Sequence, residues 1–353
     1  MNNTTAVAPD GTVLPTQIMN KKLGFVAMLL SATGMGLVGT LGRLATPIDP
    51  DGNRYIIGDF LAFGRMTTGA IGMLLIILAV KKLPKLKETK LSFTVIAGGL
   101  AIGTSLALYV SSTLMTSIAN AVFLIYTGPL FSAILAWIFL KEKISLKNAG
   151  FLGLVFIGML MTIGIINYTT GAGLEIGLQL GSDPAFPNKV MGDIFGLGSG
   201  VFYGLALFFY RYRGDIDSEV RGFWNFIFGA IGAIVVMIFR MTTLDDTNPL
   251  SVMTGTNWLW AVVLFLVCGL FAIGLLVVAG KHLLAVELST IAYWECVVAL
   301  ILGALIWKES LTLIGAIGGL LIIVGGMGPV FGELSKARKR RSQRAAPPAG
   351  TPV

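Results

Sequence analysis

The chain reads Tyr126-Thr-Gly-Pro129-Leu-Phe-Ser-Ala-Ile-Leu-Ala-Trp-Ile-Phe-Leu-Lys-Glu142, and 167 residues later it reads Tyr293-Trp-Glu295-Cys296-Val-Val-Ala-Leu-Ile-Leu-Gly-Ala-Leu-Ile-Trp-Lys-Glu309. Both stretches open on tyrosine, place Ile-Leu at the same point and close on Lys-Glu after an apolar run. The same shift lays Gly158 on Gly325. A shift of 168 lays Ser31 on Ser199, Gly36-Leu37 on Gly204-Leu205 and Arg43 on Arg211. A shift of 160 lays Gly69-Ala-Ile-Gly72 on Gly229-Ala-Ile-Gly232. Matches in several segments, in register order, point to an internal duplication.

Around these stretches the chain is unusually apolar. Of 353 residues, 55% are hydrophobic and only 12% are charged, with a mean hydropathy of +0.83. Soluble domains carry about a quarter charged residues, so this chain needs lipid to cover its surface. The apolar excess also excludes a disordered chain. Apolar runs long enough for a helix to cross about 30 Å of hydrocarbon fall at 23–42, 58–80, 92–112, 117–139, 148–167, 191–210, 222–240, 257–279, 285–307 and 312–331. They are too long, and alternate too little, for barrel strands. The expected fold class is therefore an all-α polytopic membrane protein of ten transmembrane helices. Residues 1–20 hold no Lys or Arg and no apolar segment of the secretory type.

Five spans per copy is an odd number, so the second copy enters the bilayer from the opposite side. Two such copies make inverted repeats related by a pseudo-two-fold axis in the membrane plane, the plan of many secondary transporters. The expected domains are a disordered tail (1–21), a first five-helix repeat (22–167), an extracytoplasmic loop (168–190), a second repeat (191–331) and a basic tail (332–353). Counting Lys and Arg with the N-terminus inside puts 20 of the 26 on the cytoplasmic side, including the run from Lys336 to Arg344. Arg43, Arg54, Lys189, Arg240 and Lys308 fall on the other side, and Arg65 falls within a span. This bias predicts both termini in the cytoplasm of a cell-membrane protein. The basic tail is then an orientation signal against anionic headgroups, and no nucleic-acid partner is expected.

At this point the chain resembles the EamA-type members of the drug/metabolite transporter superfamily. The likeness covers roughly residues 22–331 and rests on the five-plus-five spans and the two Tyr…Lys-Glu stretches. It departs from the family pattern at Cys296, where proline is usual, at Gly128, where an acid can stand, and at Thr33-Gly34, where Trp-Gly is common. The resemblance implies movement of a small metabolite, often an amino acid, through a central cavity between the repeats.

Charged groups inside spans are the most informative, because each is costly to insert. Glu295 sits near the middle of the ninth span, where it can exchange a proton during a cycle or meet a substrate amine; its bland alternative is a register-fixing pair. Arg65 lies a third of the way down the second span, as a carboxylate-recognition group or a structural partner of carbonyl ends. Its repeat mate is the uncharged Asn225. Tyr126, Thr127, Tyr293 and Trp294 lie near the same depth, with Tyr109 and Tyr203 on other spans, offering ring area and hydroxyls to a solute, or packing alone. Pro129 frees a carbonyl and kinks the fourth span. Gly196, Gly200 and Gly204 predict close packing of the sixth.

Other motifs fail on context. Gly34-Met-Gly36-Leu-Val-Gly39 spells a dinucleotide fingerprint but lies mid-span with no preceding strand. Gly274 to Gly280-Lys281 has the wrong spacing for a phosphate loop. His282 is the only histidine, so no metal or cofactor site is expected, and Cys268 and Cys296 lie in apolar runs unsuited to a disulfide framework. The expected function is secondary transport of a small organic metabolite by alternating access, with export favoured and a proton as one candidate coupling ion. A passive channel is the alternative; a membrane-embedded enzyme lacks a reactive constellation.

Overall fold

A computed structural model describes residues 20–50, 52–141, 146–162, 164–169, 173–176, 186–210, 212, 216–243, 249–283, 288, 291–309 and 312–328. Most of the two expected tails, of residues 1–21 and 332–353, lies outside this set. Among the described residues seven helices are long and apolar enough to cross a membrane: 21–45, 58–79, 93–115, 118–140, 189–209, 219–243 and 255–280. Three shorter apolar helices, Ala149–Thr162, Trp294–Trp307 and Leu313–Gly328, occupy the remaining predicted spans.

In chain order the helices are α1 (Lys21–Gly36), α2 (Val38–Ala45), α3 (Gly58–Ala79), α4 (Leu83–Glu88), α5 (Phe93–Met115), α6 (Ile118–Ile125), α7 (Gly128–Leu140), α8 (Leu146–Thr162), α9 (Lys189–Phe209), α10 (Ser218–Thr243), α11 (Pro249–Val252), α12 (Gly255–Leu264), a π-helical segment (Phe265–Phe271), α13 (Ala272–His282), α14 (Trp294–Trp307) and α15 (Leu313–Gly328). Three spans are interrupted, where the expectation drew continuous helices. The first breaks at Leu37. The fourth breaks at Tyr126–Thr127, and the ninth turns at Tyr293. The fourth resumes with Pro129 in the first turn of α7; proline removes the bond to the carbonyl four residues earlier and crowds it.

The fifth span ends at Thr162 rather than 167. Gly164 takes a positive φ of 83°, which suits glycine. The chain then pairs Ile166–Thr169 (β1) with Gly173–Ile176 (β2) in an antiparallel hairpin, Ile166 opposite Ile176. This hairpin and an isolated antiparallel bridge between Ile48 and Arg54 are additions to the all-helical expectation.

The two copies are related in their contacts as well as their sequence. Lys141 and Lys308 end α7 and α14 in the left-handed conformation, at φ 53° and 54°. Their N–H groups return to the carbonyls of Ala136 and Gly303, also 167 apart. The Ser31 hydroxyl donates to the Ala272 carbonyl at 2.6 Å and the Ser105 hydroxyl to the Ser199 carbonyl at 2.8 Å. A Cβ on Gly204 would stand 2.7 Å from the Gly128 carbonyl oxygen, and one on Gly36 would stand 3.0 Å from that of Glu295. These glycines let backbones touch where a side chain would hold them apart. α5 lies along α9, α1 along α13, and α10 against α3 and α5.

Large apolar side chains such as Phe139, Phe239, Phe271 and Leu305 stand outward and exposed. On a soluble globule so broad an apolar surface would be a liability; here it is the face for acyl chains.

Candidate functional site

The bundle encloses a cavity of about 520 Å³ between the repeats. Arg65 and Met66 on α3, Leu106 and Tyr109 on α5, Tyr126 at the break before α7, Tyr203 on α9, Asn225 on α10 and Glu295 on α14 meet around its inner part. From there it runs along Met28, Met73, Tyr210, Gly222 and Leu276. Those residues lie toward the bundle end where α1 and α10 begin, here called the near end. The end carrying Arg43, Asp59, Arg240 and Glu309 is the far end.

Glu295 falls in the first turn of α14, where the unpaired N–H groups of a helix start favour an acidic side chain. The Tyr126 hydroxyl lies 2.9 Å from Glu295 Oε2 and 3.1 Å from the Ala292 carbonyl oxygen. The Tyr126 ring packs on that of Tyr293, centroids 5.1 Å apart. The two interrupted spans thus meet through the tyrosines that open the repeated stretch. Where the second copy carries Glu295, the first carries Gly128, and a Cβ there would meet the Tyr203 ring at 2.5 Å. The symmetric position is filled by an aromatic ring, so the cavity holds one central carboxylate.

Arg65 is 5% exposed. Its Nε donates to the Cys268 carbonyl at 3.2 Å, and its Nη2 lies 2.6 Å from the Met35 sulfur. The acceptor lies within the π-helical segment, whose wider turns disturb the regular carbonyl ladder. No carboxylate pairs with Arg65 among the described residues. The Tyr109 hydroxyl and the Asn225 Oδ1 are buried without a hydrogen-bond partner. A cation, a hydroxyl and an amide oxygen with bonds to spare in one apolar chamber suit a polar solute, because buried polar groups are normally satisfied.

The remaining sequence candidates sit elsewhere. Tyr293 touches the site only through its ring contact with Tyr126. Thr127 is fully buried, its hydroxyl turned back to the Leu124 carbonyl at 2.6 Å. Trp294 is 39% exposed and its indole N–H reaches the Thr33 hydroxyl at 3.0 Å. Sequence reasoning missed Tyr210, Phe226 and the methionines Met28, Met35, Met66 and Met73, which line the cavity. Methionines at core spacing give no signal of a chamber.

Residues 22–164 and 190–328 match the model of the EamA-like transporter family. The chain belongs to that family. It is a multi-pass membrane protein. The chain is also 25% identical over 124 residues to Solute carrier family 35 member G1 of Mus musculus, an overlap of 35% of this chain and 32% of the relative. A crystal structure of a protein is similar in fold, with a TM-score of 0.52 at 16% identity, covering 87% of this chain and 95% of that one.

The near and far ends of the bundle differ in polarity. At the near end Lys82 reaches Asp217 and Glu219, both at 3.0 Å, and Lys85 reaches Asp217 at 3.0 Å. Hydrogen bonds from Lys85 and Lys82 hold the Asp217 carboxyl below its ordinary value. Burial pulls the Lys82 ammonium down, but its bonds to Glu219 and Asp217 outweigh it and the net shift is upward. At the far end Arg240 Nε lies 2.8 Å from Asp59 Oδ2, with side chains 5% and 1% exposed. A shift of 160 carries Asp59 onto Glu219, so repeat-related acids hold an ion pair at each end. The far one is dry and the near one wet.

Proposed function

We propose that the chain is a secondary transporter of an amino acid or related compound, working by alternating access with export as its direction. The carrying observation is the central chamber, where Arg65 has no carboxylate partner among the described residues and Glu295 stands beside hydroxyl-bearing rings. A guanidinium recognises a carboxylate through its planar fork of donors. A carboxylate in an apolar chamber recognises an ammonium. The two groups together fit a zwitterion, and the surrounding methionines and aromatics fit its apolar part. Glu295 is also the proposed coupling group, releasing or taking a proton as the solute changes places.

The lysine and arginine bias supports placing the near end, and both termini, in the cytoplasm of a cell-membrane protein. With that orientation the chamber extends toward the cytoplasm while the opposite end is packed shut, which favours a carrier over an open channel. The expected repeat boundaries at 22–167 and 191–331 complete the reading.

The test is a thermal-shift screen of the purified chain against amino acids, amines, nucleosides and sugar phosphates, followed by counterflow in proteoliposomes. Amino acids alone should raise Tm, by mass action on the folded state, and should show saturable exchange. Stabilisation by nucleosides or sugar phosphates only would overturn the substrate class. Flux without saturation or exchange would overturn the carrier.

A further inference from the structure

The far end is closed by more than apolar packing. Lys308 turns the chain left-handed after α14, and the Glu309 N–H closes that turn on the Gly303 carbonyl at 3.1 Å. Glu309 thereby folds back beneath the end of α14. Its carboxylate meets the Arg43 Nη1 in an ion pair whose side chains are 3% and 5% exposed. It also accepts the Ile118 N–H, at 3.0 Å to Oε2 and 3.3 Å to Oε1. Ile118 is the first residue of α6, so a carboxylate caps a helix start whose dipole favours it. Arg43 in turn donates from Nε to the Thr113 carbonyl and from Nη2 to the Thr116 carbonyl, both at 2.8 Å. The Arg43 guanidinium lies 5.5 Å from the Trp307 ring centroid and 5.4 Å from that of Phe186. Two side chains, 266 residues apart, therefore tie α2, α5, α6 and α14 together.

Between this knot and the chamber lies a thin layer of close contacts. A Cβ on Gly39 would stand 2.7 Å from the Ile118 side chain, and one on Gly36 would stand 2.7 Å from that of Val298. Thr40, one turn from Arg43 on α2, is 2% exposed and its hydroxyl has no partner. An orphan hydroxyl just behind the knot suits a surface that meets water in another state of the protein.

We propose that Arg43 and Glu309 are the latch of the far end: the chamber opens to that side only when this pair parts and α2 withdraws from α6 and α14. The proposal rests on the alternating-access reading above and names the positioning residues that set which side is shut. Breaking one partner of a buried pair leaves a charge uncompensated in an apolar place, which strongly favours the state in which that charge reaches water.

The test uses the full chain in nanodiscs, with the thiol-labelling rate of two reporters, Thr40→Cys behind the latch and Val277→Cys in the chamber. The chain with only its native cysteines, both buried, supplies the baseline. Glu309→Gln should speed labelling of Thr40→Cys by at least about tenfold, and slow labelling of Val277→Cys, because one end closes as the other opens. Unchanged labelling of Thr40→Cys overturns the latch. Faster labelling of both reporters also overturns it, since that is general loosening. If Glu309→Gln does not fold, Glu309→Asp is read the same way, its shorter side chain being unable to span Arg43 and the Ile118 N–H. Labelling needs no solute. A chain that moves no solute yet labels reciprocally refutes the transport reading alone, and a working carrier with unchanged labelling refutes the latch alone.

Discussion

The dry far-end ion pair and the exposed near-end one invite a double-mutant cycle with a control. Asp59 and Arg240 are 1% and 5% exposed as side chains, whereas Lys85 and Asp217 are 60% and 26% exposed. Removing one member of a buried pair costs about 3–5 kcal/mol, because the survivor is left charged and dry. An exposed pair is worth about 0.2–1 kcal/mol. Asp59→Leu and Arg240→Met should therefore each destabilise by several kcal/mol. The double variant should regain most of that loss, since apolar residues of similar size replace a buried pair at little cost. Lys85→Met, whose partner Asp217 stays partly hydrated, should cost about 1 kcal/mol or less. Denaturant unfolding of the chain in bicelles, followed by tryptophan fluorescence, measures all four. Single and double variants that add without recovery would refute the reasoning. So would Lys85→Met costing as much as Arg240→Met, because burial, not pairing, sets the difference.

Other expectations follow from the same geometry. Gly204→Val and Gly36→Val each push a side chain into a facing carbonyl and should destabilise by about 1–3 kcal/mol, whereas Gly255→Ala, which meets nothing within 4 Å, should stay within about 0.5 kcal/mol; thermal unfolding separates them. Asp217 lies below and Lys82 above its ordinary value, 3.8 and 10.5 respectively. Their stabilisation should be fully present between those values, fade as acid passes below 3.8 through the folded Asp217 value, and fade as alkali passes above 10.5 through the folded Lys82 value. The stability gap between the native chain and Asp217→Asn should therefore be flat from about pH 5 to 9 in titrated unfolding curves. Tyr126→Phe removes the hydroxyl beside Glu295 and keeps the ring against Tyr293. It should weaken solute affinity by roughly ten- to a hundredfold, the value of one hydrogen bond to a charged group, read as a shift in half-saturation with the maximal rate retained.

The duplication was legible because it rests on residues whose backbone role survives divergence. Lys141 and Lys308 cap helices in the same strained conformation, and Gly36 and Gly204 sit on equivalent carbonyls. The spans were legible because hydrocarbon thickness imposes their length. Glu295 and Arg65 stood out because charge in an apolar run is rare, and both reach the chamber. Thr127 and Trp294 are one residue from chamber positions on helical turns, and the breaks at Tyr126 and Tyr293 rotate them onto other faces; periodicity across a continuous helix cannot foresee that rotation. Arg43 and Glu309 read as loop charges at the ends of spans, visible only as repeat matches. Their partnership depends on how α2 and α14 meet, which nothing local records. The hairpin of Ile166–Thr169 with Gly173–Ile176 starts in the last two residues drawn into the fifth span and falls mostly in the expected loop, where no strand was expected.

The central claim is that Glu295 takes part in moving the solute. Its most direct test is solute counterflow in proteoliposomes, comparing the native chain with Glu295→Gln across a range of pH. The account predicts that Glu295→Gln folds, lowers the exchange rate at least about tenfold, as the loss of a charge-assisted contact implies, and removes the pH dependence that the native rate shows. An unchanged rate with an unchanged pH profile would contradict it.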